Sequence, residues 1–132
     1  MVRCLVHDFE FQKPPHAASL TKYVEDYFKS SDAGESRSSL PSCRLSDRPP
    51  LYFQHYGHSR TIVGIEYLKS GKINFLIFDP DRKPSSIIKD FASGNIKKDS
   101  CENALKSFRV SLDGIARRKK YQILRYEISL SY

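Results

Sequence analysis

Three side chains suited to acyl-transfer chemistry lie close together in this sequence. Gln54 is followed by Gly57-His58-Ser59, and Asp79 is pinned by Pro80. A thiol peptidase needs an imidazole to carry the nucleophile's proton to the leaving amine, a group that fixes the imidazole, and donors for the oxyanion. His58, Asp79 and Gln54 are candidates for those three roles. A glycine before the histidine lets the backbone turn and leaves the ring unobstructed. Gln54, four residues before His58, can aim its amide at an oxyanion. On geometry alone, a histidine and an aspartate at one end of a hairpin are more often a surface pair than a catalytic dyad.

The thiol is harder to place. Cys4, Cys43 and Cys101 form an odd set without a Cys-x-x-Cys pair, which fits reduced thiols and a cytoplasmic or nuclear setting. Cys4 falls in a stretch that reads as a buried strand, where cysteine acts as a small hydrophobe. Cys43 sits in a Ser-rich loop without an orienting neighbour. Cys101 follows Lys97 and Lys98 at the start of an expected helix, a setting that favours a thiolate. His55-x-x-His58 offers half of a metal site, but at a strand edge the two rings should diverge, and no cysteine pair completes a set. Neither a metal nor a cofactor is expected, and there is no phosphate-binding loop.

The elements that position these groups can be read from periodicity. Val2 to Phe9 is apolar on both faces, as a buried central strand would be. Ala17 to Lys29 places Leu20, Tyr23, Val24, Tyr27 and Phe28 at helical spacing. Residues 30–50 are rich in Ser, Gly, Pro and Arg and read as a flexible loop or insertion. Strands are expected over Leu51 to Gln54, Arg60 to Leu68, Ile73 to Phe78 and Lys120 to Ile128. Short helices are expected over Ser85 to Phe91, stopped by Gly94-Asn95, and from Cys101 to about Leu112, capped by Ser100. A two-residue loop at Ser70-Gly71 would face Lys69 with Lys72 and Asp79 with Ile62, four residues from His58.

Composition sets the outer limits. The chain has 132 residues, 39% apolar, with 8 Tyr and 8 Phe, enough for one small core. No run approaches the roughly 18 apolar residues of a membrane span, and the N-terminus is charged too early for a signal peptide. The net charge of +7 is uneven: residues 82–125 hold 12 Lys/Arg against 4 Asp/Glu, and the rest holds 10 against 11. Arg117-Arg118-Lys119-Lys120 can touch nucleic acid or an acidic protein. A short run at a helix end, without aromatics upstream, reads more simply as a solvated basic surface.

The stretch Gln54-His55-Tyr56-Gly57-His58-Ser59-Arg60-Thr61-Ile62-Val63-Gly64-Ile65-Glu66, with Leu76-Ile77-Phe78-Asp79-Pro80 after it, resembles the C-terminal half of the ubiquitin-fold-modifier-specific peptidase family. It is most similar to the zinc-finger-containing branch, which acts on ubiquitin chains. The Val2–Phe9 strand, the Leu20–Phe28 helix and Lys119-Lys120-Tyr121-Gln122-Ile123-Leu124 follow that branch in order, so the resemblance covers nearly the whole chain. It implies an α/β (α+β) papain-like cysteine peptidase fold and isopeptide hydrolysis, with ubiquitin or a ubiquitin-like modifier as partner. It also implies His58 as general base, Asp79 as its orienter and Gln54 near the site. The modifier-specific branch has its histidine directly after an Asp-Pro pair, where this chain has Asp81, so the resemblance assigns that role to His58.

In the family the nucleophilic cysteine opens a helix well upstream of the strand that begins here at Val2, and no position in this sequence matches it. The region of Cys101 corresponds to a helix without a catalytic role. The expectation is therefore one partial peptidase domain over residues 1–132, without its nucleophile-bearing part and inactive by itself. The alternatives are a non-catalytic module that binds ubiquitin-like proteins and a truncated pseudo-peptidase.

Overall fold

In the computed structural model of the protein, the residues described are 2–10, 17–30, 44–83, 85–95 and 105–128. The strands are β1 (Val2–Glu10), β2 (Leu51–His55), β3 (His58–Tyr67), β4 (Ile73–Phe78), β5 (Arg109–Ser111) and β6 (Lys120–Ile128). They form one sheet in the order β1-β6-β2-β3-β4-β5, with every neighbouring pair antiparallel. The helices are α1 (Ala18–Lys29), α2 (Ser86–Ala92) and α3 (Leu112–Ile115). This mixed α/β architecture is that expected of part of a papain-like peptidase domain. No helix among the described residues is long and apolar enough to cross a membrane.

One face of the sheet makes the core. Leu51, Phe53, Ile62, Phe75, Ile77, Tyr121 and Ile123 are buried with Leu20, Val24 and Tyr27 of α1 and Ile115 of α3. Leu20, Val24 and Tyr27 recur at i, i+4 and i+7, so a single stripe of α1 faces the sheet. The Phe53 and Tyr121 rings stack at 4.7 Å, and the Tyr27 hydroxyl donates to the Pro49 carbonyl at 2.8 Å, fastening the approach to β2 to the helix. The stop after α2 falls where Gly94-Asn95 indicates: Gly94 has φ +82°, and the Asn95 N–H returns to the Asp90 carbonyl at 2.9 Å.

Three expectations are corrected. β1 is not central: among the described residues it pairs with β6 alone, so it is an edge, and Cys4 is exposed. Apolar residues on both faces had suggested burial, but Val6 stands 55% exposed on the open face. The helix expected to run to Leu112 has ended by Arg109, where β5 begins. Arg109 there forms a two-pronged ion pair with Glu66 of β3, Nε–Oε2 2.8 Å and Nη2–Oε1 2.7 Å, and this long-range partner holds the strand against local helical preference. Cys43, Cys101 and the expected Ser100 cap lie outside the described residues, as does most of the 30–50 loop.

The β3–β4 register is the third correction. The loop takes three residues, with the Leu68 N–H donating to the Lys72 carbonyl at 2.9 Å and Gly71 at φ +81°. A bulge then shifts the pairing between Ile62 and Gly64, so that Ile62 faces Ile77 and Thr61 faces Phe78. Continued by one residue, that register sets Asp79 against Arg60, only two residues from His58 rather than four.

Candidate active site

The β2–β3 hairpin closes with His55 paired to His58 across a two-residue turn, Tyr56-Gly57. Gly57 has φ +78°, the left-handed conformation that glycine supplies without strain. His58 therefore begins its strand at a fixed point. The rings of His55 and His58 converge to 5.6 Å rather than diverging, because the residues are a cross-strand pair and not neighbours on one strand. His55 is held by its own contacts: Nδ1 lies 3.0 Å from the Tyr56 carbonyl, and the ring meets Tyr121 edge-on at 5.6 Å. Burial, supported by the charges of Arg60, Arg118 and His58, keeps His55 below the ordinary imidazole range despite its bond to Tyr56.

Asp79 reaches the ring from the end of β4. Residues 79–82 make a turn in which the Arg82 N–H donates to the Asp79 carbonyl at 3.1 Å, with Asp in the first place and Pro in the second, both favoured there. The Asp81 N–H donates to Asp79 Oδ1 at 3.1 Å and aims the carboxylate. Both oxygens of Asp79 lie 3.0 Å from His58 Nε2. The Asp79 side chain is only 10% exposed and that of His58 21%. Burial alone would raise the pKa of Asp79, but the His58 bond, the Asp81 N–H and the charges of His58 and Arg60 together hold it below its ordinary value. Asp79 is thus an anion at neutral pH, fixed on one ring nitrogen.

Sequence reasoning missed what happens at the other nitrogen. Asp81 Oδ2 lies 3.0 Å from His58 Nδ1, although the Asp81 side chain is 79% exposed. The signal was present in Asp79-Pro80-Asp81: a Pro turn that bends the chain back can offer both carboxylates to one ring. His58, Asp79 and Asp81 also bring three ligand-type atoms within 4.8 Å of one another. The two carboxylates meet the two ring nitrogens directly at 3.0 Å each, and the cluster reads as an ion-paired group.

Gln54 is placed differently. It pairs with Ser59, so its side chain leaves the sheet on the face opposite His55 and His58. Its Nε2 donates to Gln122 Oε1, and Gln122 Nε2 donates to Asp8 Oδ1 at 2.7 Å, a polar ladder across β2, β6 and β1. The structure brings His58 and Asp79 together and sets Gln54 apart. Gln54 and His58 still line one cavity of about 890 Å³ at this end of the sheet, with Asp8, Tyr52, Tyr121 and Gln122. Cys4 lies four residues along β1 from Asp8, about 13 Å at the rise of a strand, too far to reach the ring.

Comparison with known proteins adds a family. Residues 1–124 match the sequence model of peptidase family C78. The chain is 34% identical over 132 residues to zinc finger-containing ubiquitin peptidase 1 of Macaca fascicularis and of Homo sapiens, and 33% identical to that of Mus musculus. Each alignment covers 98% of this chain but 21% of the relative, so the chain spans about a fifth of the length of these proteins.

Proposed function

Since the chain belongs to peptidase family C78, we propose that it carries the base and orienter of a thiol-dependent isopeptidase that acts on ubiquitin or a ubiquitin-like modifier. The observation that carries this reading is Asp79 clamped on His58 Nε2 at 3.0 Å, which leaves Nδ1, beside the exposed Asp81 carboxylate, as the working nitrogen. In this reading His58 takes the proton of a thiol and returns it to the leaving lysine amine. Asp79 keeps the proton on Nε2 and stabilises the imidazolium between those two steps. Gln54 lines the same cavity, and its second amide proton would serve a substrate oxygen there. The thiol is assigned to a residue other than Cys4, Cys43 and Cys101.

Fluorogenic ubiquitin tests this. The chain by itself is expected to give no turnover, and joined to a segment that supplies the thiol it should turn over. In that form His58→Ala should lower kcat/KM by about 10²–10⁴-fold. Turnover that survives His58→Ala would sink the base assignment. Turnover by the isolated chain that is lost in Cys101→Ala would move the thiol to Cys101.

A second reading, binding of ubiquitin-like proteins without catalysis, is favoured by the open sheet face beside the cavity. Val6, Tyr52, Phe78 and Tyr126 are 40–55% exposed there, four large apolar or aromatic side chains on one face of the sheet. Titration of labelled ubiquitin into the chain should give saturable shifts on these strands; none at high micromolar concentration would remove this reading.

A further inference from the structure

His58 is held from both sides by one turn. Asp79 takes Nε2, and two residues later Asp81 places Oδ2 3.0 Å from Nδ1. The Asp81 N–H bond to Asp79 Oδ1 ties the Asp79 carboxylate to the backbone of residue 81. A neutral imidazole has one N–H and one lone pair, while a carboxylate only accepts. A carboxylate oxygen 3.0 Å from Nδ1 occupies the place from which a partner group would approach that nitrogen. An imidazolium between two anions is what a thiolate–imidazolium pair with an orienting carboxylate would present. Asp81 Oδ2 stands where the second anion would be.

We propose that Asp81 is a displaceable positioning residue for His58: its carboxylate fills the place of the thiolate at Nδ1, holds the ring turned toward that place, and leaves when the thiolate arrives. This rests on the reading of His58 as the base. Two features suit displacement. Asp81 is 79% exposed whereas Asp79 is 10% exposed, so Asp81 returns to water with little desolvation to reverse. Its anchoring bond to Asp79 uses the backbone N–H, so the side chain can swing without undoing the turn. The other charges near the ring are Arg60 and Arg82, which face Asp79; His55 on the neighbouring strand; and Arg117 and Arg118, which line the same hollow. Among the described residues, the ion pair recorded at Nδ1 is that with Asp81.

Carbethoxylation of the histidines in the 132-residue chain tests this, because diethyl pyrocarbonate reacts with an imidazole nitrogen that is unprotonated and uncovered. Asp81→Ala should speed modification of His58 by about three-fold, within the range of an exposed ion pair, while His55 keeps its rate. Asp81→Glu should restore slow modification. In long-range ¹H–¹⁵N spectra at one fixed pH, Asp81→Ala should shift the Nδ1 resonance of His58 and leave that of Nε2 in place. Equal His58 rates in wild type and Asp81→Ala, or an equal rise at His55, would overturn the proposal. So would a Glu variant as reactive as the Ala variant. No step requires turnover, so the result stands apart from the base assignment, which falls only if hydrolysis survives His58→Ala.

Discussion

The covered and open faces of the sheet use the same strands to different effect. Leu51, Phe53, Ile62, Ile77, Tyr121 and Ile123 stand on the covered face beneath α1 and are at most 1% exposed. Tyr52, one residue from Phe53, is 40% exposed, and Val6, Phe78 and Tyr126 share its open face. Each face carries a polar cluster. His58, Asp79 and Asp81 continue the covered face beyond its last apolar residues, and Gln54, Gln122 and Asp8 cross the open face. The covered cluster inherits a rigid floor, because Phe53 and Tyr121 stack beneath it and Arg60 lies over Phe53 at 5.4 Å. The open cluster is joined by hydrogen bonds among its own exposed side chains. A base that must stay within tenths of an ångström belongs on the floored side.

Core truncation should separate the faces most. Phe53→Ala removes a fully buried ring from between Tyr121 and Arg60 and should destabilise the chain by about 3–5 kcal/mol. Tyr52→Ala, its neighbour on the open face, should change stability by no more than about 0.5 kcal/mol. Urea unfolding of the two variants measures the contrast, and equal losses would mean that the open face is covered in solution. The next effect is local. Gly57→Ala meets no neighbouring atom within 4 Å, yet it forces a side chain to φ +78° and should cost about 1–2 kcal/mol. It should also disturb the His58 Nε2 resonance, while the Gln54–Gln122 ladder on the other face keeps its shifts.

Much of this architecture was legible in the chain. β4 and β6 fall where alternation and apolar runs set them, and α1 begins at Ala18, because those segments have one dominant partner surface. What failed depended on distant residues. β5 exists through the Glu66–Arg109 pair, 43 residues apart, which no local pattern announces. The edge position of β1 follows from strand order, and its two apolar faces could not distinguish edge from centre. At the site, Gln54 and His58 were placed together because they are close in sequence. A two-residue turn pairs 55 with 58 and 54 with 59, and thereby sends Gln54 and His58 to opposite faces. The approach of Asp79 could be read only to within two residues, because a three-residue loop and a bulge at Val63 each move the register by one.

Acid should resolve the two faces by their carboxylates. Glu66 on the open face is held below its ordinary value of 4.5, chiefly by its hydrogen bonds from Arg109 against the opposing pull of burial, with Asn74 helping. Asp79, on the covered side, lies below its ordinary value of 3.8 even though burial opposes ionisation. In both cases the unfolded chain takes up the proton first as pH falls. The stability each contributes is therefore complete above the ordinary value and is lost as pH drops through the depressed native one. Glu66→Gln should flatten the upper part of the decline, which begins near pH 4.5, and Asp79→Asn the lower part, which begins near 3.8. Unfolding free energies measured between pH 5 and pH 2 would show the two windows in that order.

The smallest effect concerns the ladder. Gln122→Ala removes the acceptor of Gln54 and the donor to Asp8, both on an exposed surface. Stability should fall by no more than about 1 kcal/mol, the net worth of a hydrogen bond already open to water. The useful reading is kinetic. If Gln54 serves the oxyanion from the cavity wall, loosening its amide should lower kcat of the thiol-bearing form while leaving KM and the His58 ring spectrum unchanged. Gln122→Glu should preserve the acceptor for Gln54 and with it most of kcat, despite losing the bond to Asp8. A kcat that ignores both substitutions would confine the chemistry to the covered face and leave Gln54 as part of the rim.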